Sequence, residues 1–137
     1  MGSVIQKKLR RLEKVVAQIN LIVRSEVIKE QKLIARMNRE QLMSGTKADG
    51  SSMPNYVEGS RQPQAPGKIK LFEEGLFHEG IEPLFSDLGV EMVGLDFKTE
   101  FLEPKYGNIL GLTSSNIKKL ITIVRPRILA RIRRILM

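Results

Sequence analysis

The chain has 137 residues, 42% hydrophobic and 28% charged, with one histidine, no cysteine and a formal net charge of +8. That length suits a single domain with one modest core, and the lack of thiols excludes disulfide frameworks, thiolate metal sites and cysteine nucleophiles. The charge is uneven: residues 1–43 carry ten Lys/Arg against four acids, residues 44–112 six against eleven, and residues 113–137 seven against none. Two basic ends around an acidic middle suit contact between copies as well as attraction to a polyanion.

At the start, MGSVIQKKLRRLEKVV lacks the apolar core and small-residue cleavage site of a secretory signal. Gln6 stands where myristoylation needs Ser or Thr. From Val4 to Met43 there is neither proline nor glycine, and Ile5, Leu9, Leu12, Val16, Ile19, Val23, Val27, Leu33, Ile34 and Met37 recur at three- and four-residue steps. That spacing predicts a long helix over residues 1–43, with Ser3 as its cap. Such a helix would measure about 60 Å against a globule of about 35 Å. It therefore either breaks near Arg24–Ser25 or projects toward a neighbour. Gly45 stops it, and Asp49-Gly50 signals a tight turn. Residues 44–67 read as an extended loop or arm, with Val57 to Gly67 having little to bury.

Residues 68–112 read as a small sheet and a short helix. KIKLF suits a short strand, EEGLFHEGI a turn, and PLFSDLGVEMVGLD one or two strands around Gly89. In the last of these Val90, Met92 and Gly94 share a face opposite Glu91 and Val93. DFKTEFLEPKYGN predicts a helix capped by Asp96 and ended around Pro104–Gly107. Residues 113–137 predict a basic amphipathic helix, with Thr113 or Ser114 as cap. Its stripe is Ile117, Leu120, Ile121, Val124, Ile128, Ile132 and Ile135, with a kink or restart at Pro126. The whole is an α+β domain: a long N-terminal helix and a basic C-terminal helix on a small antiparallel sheet, with an extended mid-chain loop.

Chemistry is sparse. His78 has no partner at ligand spacing, and Glu73/Glu74 and Glu79/Glu82 read as solvated acids rather than an acid/base pair. No glycine-rich loop follows a strand and opens a helix. The reading is therefore a non-enzyme without catalytic, metal or cofactor residues. The closing stretch RPRILARIRRILM admits three partners: a membrane surface, a nucleic acid or another protein. It lacks the Trp and Tyr of an interfacial segment, and its arginines do not keep to one side of the helix. For nucleic acid it offers phosphate contacts without a base-reading motif. The aliphatic stripe still has to be buried, so Ile117, Leu120, Ile121, Ile128 and Ile132 are the expected protein interface. Arg125, Arg127, Arg131, Arg133 and Arg134 are expected to meet an acidic partner or DNA.

Three short stretches carry a family resemblance. The first is NREQLMSGTKADGSSMPNY, with Asn38, Gln41, Leu42, Gly45, Asp49, Gly50 and Tyr56. The second is the turn EEGLFHEGI, with Gly75 and Phe77, where Glu73-Glu74 stand in place of the usual Asp-Thr. The third is KTEFLEPKYGNILGLT, with Leu102, Lys105, Tyr106, Gly107, Leu110, Gly111 and Leu112. Over roughly residues 38–117 the chain resembles the tail-completion or neck (head–tail connector) proteins of HK97-like phages, as in phages of Bacteroides-type hosts. The resemblance implies a non-enzymatic virion subunit that is made in the host cytoplasm and forms a homo-oligomeric ring at the head–tail junction. Its implied partners are copies of itself and portal, neck or tail proteins, with non-specific DNA in the channel and no membrane. The alternative is a small basic protein that binds nucleic acid without sequence preference.

Overall fold

The computed structural model describes residues 2–54, 69–71, 75–86 and 89–136. Their elements run α1 (Gly2–Ile28), α2 (Gln31–Met43), α3 (Leu76–Glu79), β1 (Ile81–Ser86), β2 (Gly89–Gly94), α4 (Thr99–Tyr106) and α5 (Ser114–Leu136). The fold is α+β, as the sequence implies. The chain divides into two compact units, residues 1–30 with 121–137, and residues 31–120. The expected arm from Val57 to Gly67 lies outside the described residues, as do Tyr56, Glu73 and Glu74.

In the first unit α1 starts before Ser3, so Ser3 is helical rather than a cap. The expected break near Arg24–Ser25 falls instead at Lys29–Glu30, where the Glu30 amide bonds the Val27 carbonyl in a tightened last turn. Neither glycine nor proline marks that place. Ser25, Glu26 and Glu30 are all held by arginines of α5, and those contacts keep α1 helical through Ser25. α5 runs through Pro126 without restarting, although the ring removes one backbone donor.

In the second unit α2 packs on β1 and ends in a Schellman motif. The Thr46 amide bonds the Gln41 carbonyl at 2.8 Å and the Gly45 amide bonds the Leu42 carbonyl at 2.9 Å, with Gly45 at φ 75°. Next, Thr46 bridges Ser52 across the Asp49-Gly50 turn, where Gly50 has φ 87°. Residues 69–71 form no strand, contrary to the expectation for KIKLF; the Ile69 amide bonds the Pro54 carbonyl instead. EEGLFHEGI contributes the single-turn helix α3. β1 and β2 pair antiparallel from Ile81↔Gly94 to Ser86↔Gly89. Pro83 is tolerated because a two-stranded sheet leaves one edge of each strand unpaired. Alternation places Ile81, Pro83 and Phe85 across from Gly94, Met92 and Val90 on one face.

The core of this unit is Leu42, Met53, Phe77, Ile81 and Ile109, with Ile69, Leu71, Met92, Leu102, Tyr106 and Leu110 packed against it. Asp96 accepts the Lys98 amide through its side chain and the Thr99 amide through its carbonyl, so it shapes the turn before α4 rather than capping it directly. α4 passes through Pro104 and ends at Tyr106, before Gly107. Thr113 caps α5 as expected, its hydroxyl accepting the Asn116 amide at 3.2 Å.

Candidate functional site: an arginine clamp and open helical faces

The basic tail meets its own chain first. Glu26, only 2% exposed, sits in the first unit beneath three cations. Its Oε1 receives Lys29 Nζ at 3.0 Å and Arg131 Nη1 at 3.1 Å, while its Oε2 faces Arg127 Nε at 3.3 Å. Arg127 also reaches Glu30 at 2.8 Å, and Arg131 donates to the Ser25 hydroxyl at 3.3 Å. The Lys29 hydrogen bond is the main cause that holds the Glu26 carboxyl below its ordinary range; burial opposes it, and Arg131 and Arg127 add to the lowering. Buried carboxylates persist only when paired in this way.

This geometry divides the five arginines expected at a partner. Arg127 and Arg131 are committed to Glu26 and Glu30 within the chain. Arg125, Arg133 and Arg134 are exposed and make no ion pair among the described residues. The expected apolar interface is divided too. Leu120, Ile128 and Ile132 are half-buried, and Val124 is buried, whereas Ile117 and Ile121 remain 45% and 47% exposed.

The more open row lies on α1. Ile5, Leu9, Leu12, Val16 and Val23 are between 38% and 61% exposed, and Ile19 is half-buried. The same helix buries Ile22 and Glu26 along another line, about a quarter of a turn round at 3.6 residues per turn. α1 therefore has two apolar faces. One is used within the chain; the other is exposed except at Ile19, which lies between the two lines and is half-buried. Its basic side chains Lys7, Lys8, Arg10, Arg11 and Lys14 are all exposed.

In the second unit several residues that carry the resemblance come together. Asn38, fully buried, donates to the Ile109 carbonyl at 3.0 Å and accepts the Gly111 amide at 2.8 Å. Gln41 donates to the Gly111 carbonyl at 2.8 Å and accepts from the Thr113 amide at 2.9 Å and Asn116 Nδ2 at 2.6 Å. Asp49 takes the Ser51 amide and hydroxyl on one oxygen and Asn108 Nδ2 on the other. The Ser51 bonds lead in pulling its carboxyl down to about 2. Asn38, Gln41 and Asp49 thus tie the segment around Gly111 to α2 and its following turn.

His78 is buried, with Nε2 2.7 Å from the Lys70 carbonyl, and burial is the chief cause that lowers its pKa. Arg39, which the sequence did not single out, donates to the carbonyls of His78, Glu79 and Ile81 and so closes the end of α3. Glu79 and Glu82 are exposed. Among the described residues no cluster of three or more His, Asp or Glu is placed to hold a metal, and no helix is long and apolar enough to cross a membrane. No known family model, curated protein or solved structure matches the chain, so its function rests on its own residues.

Proposed function

We propose that this chain is a non-enzymatic structural subunit of a phage virion, assembling by subunit–subunit packing in a ring at the head–tail junction. The observation that carries the reading is the open apolar surface on both long helices: the row from Ile5 to Val23 on α1, and Ile117 with Ile121 on α5. Exposed contiguous apolar surface rimmed by charge marks a site of association. Arg125, Arg133 and Arg134 are exposed on α5 and make no ion pair among the described residues, as an arginine that answers a neighbour's carboxylate would. The convergence of Asn38, Gln41, Asp49 and Gly111 supports the family, because the residues of the resemblance act together.

The test spares the clamp. Arg125→Glu, Arg133→Glu and Arg134→Glu combined should leave the fold intact while blocking attachment of filled heads to portal, neck or tail proteins in a complementation assay. Particles that mature and stay filled with the triple variant remove the reading. The same three exposed arginines, with Lys7, Lys8, Arg10 and Arg11, favour one alternative, a sequence-independent nucleic-acid binder. That alternative requires retention on duplex DNA at low salt, falling steeply from about 50 to 200 mM. It ends if the free protein is not retained.

A further inference from the structure

We infer that α1 is a homotypic coiled-coil helix, its open row pairing parallel and in register with the same row of another copy of this chain. The inference does not rest on the virion reading. Ile5, Leu9, Leu12, Val16, Ile19 and Val23 are spaced 4-3-4-3-4, which is a heptad with Leu9, Val16 and Val23 at a and Ile5, Leu12 and Ile19 at d. A straight amphipathic helix packed on a globular core follows a 3.6-residue period; a row kept to 3.5 fits a supercoiled helical partner. Within the chain, α1 is covered around Ile22 and Glu26, where Ile19 is half-buried, while Ile5, Leu9, Leu12, Val16 and Val23 of the heptad row stay exposed.

Charge identifies the occupant. Glu13 is the only acid among residues 1–25, and it falls at e of the second heptad, while Lys8 falls at g of the first. In a parallel in-register pair each g position meets the e position of the partner's next heptad, so Lys8 of each copy meets Glu13 of the other. An antiparallel pair matches e with e and g with g. Glu13 then meets only Gln6, Asn20 or itself, and no opposite charges pair. Lys7, Arg10, Arg11 and Lys14 fall at b, c and f, away from the seam. Lys8 and Glu13 are exposed and make no ion pair among the described residues. The row thus matches itself, in one orientation.

Sedimentation equilibrium of the full chain over a concentration series is the test. The wild type is expected to self-associate, and Leu12→Glu to weaken this by roughly a hundredfold or more, since a buried seam leucine is replaced by a charge. Leu12 and Glu13 are exposed in the single chain, so circular dichroism should show the helices retained. Glu13→Lys should weaken association by roughly tenfold, and adding Lys8→Glu should restore it, because the swap rebuilds the same pairs with reversed sign. Ile5→Cys, in a chain with no other cysteine, should oxidise to a linked dimer only if the helices run parallel. A monomer at every concentration overturns the inference, as does association indifferent to Leu12→Glu or not rescued by the swap. So does a chain that stays monomeric while Leu12→Glu abolishes its binding to anionic lipid vesicles. Failure here leaves the arginine triple variant to judge the virion reading separately.

Discussion

Asn38 shows how much one buried amide can organise. Both ends of its side chain are satisfied by backbone around Ile109 and Gly111, some seventy positions away in sequence. Asn38→Ala leaves a carbonyl and an amide without partners, each costing about 1–3 kcal/mol, and should lower stability by about 2–4 kcal/mol in urea unfolding. His78 makes a pH prediction. Burial holds its folded pKa below 6.5, so the unfolded chain takes up the proton first. Stability should be greatest above that value and fall as the pH drops below it through the lowered folded pKa, with His78→Gln flattening the slope. That His78 has no partner at ligand spacing was legible in the sequence; its bond to the Lys70 carbonyl was not, because that contact exists only once α3 has formed.

At the scale of elements, local signals succeeded where chemistry is local. Gly45 is the C′ residue of a Schellman motif, and its left-handed φ is one a Cβ resists. Gly45→Ala should cost about 1–2 kcal/mol in the same measurement, whereas a substitution at exposed Met43 should have little effect. Thr113 and the strands on either side of Gly89 were equally readable, from a cap residue and from period-two alternation. The break at Lys29–Glu30 was not, since the sequence there is ordinary helix-forming sequence. Within KIKLF, residues 69–71 form no strand because Ile69 bonds Pro54 in a loop, and so short an alternation does not decide between those outcomes.

On the scale of the whole molecule, the basic tail is partly spent inside the first unit. Glu26 is the centre of that arrangement. Its carboxyl lies below its ordinary 4.5, chiefly through Lys29 and also through Arg131 and Arg127. Its contribution is therefore present above that value and lost as the pH falls through the lowered one. Glu26→Ala removes the ion pairs of Arg127 and Arg131 to Glu26, leaving Arg127 its pair with Glu30 and Arg131 its bond to Ser25, and should lower the melting temperature at neutral pH. Hydrogen exchange should speed up in α1 and in α5 beyond Ile121 while the amides bonded around Leu42 and Ile109 stay protected. Uniform acceleration across both units would mean that the clamp supports more than its own unit.

By itself the sequence determined what periodicity and composition carry: the helices, the hairpin, the α+β class, the thiol-free chemistry and the basic ends. These follow from nearest-neighbour geometry, in which spacing along the chain equals spacing on a helix or strand. Only the tertiary structure decided which arginines are engaged within the chain, because Arg127 and Arg131 find Glu26 about a hundred positions away. It also decided which part of α1 is covered within the chain, around Ile22 and Glu26, and which apolar residues stay exposed. A stripe in sequence records that a surface needs covering, and only folding reveals whether the chain covers it.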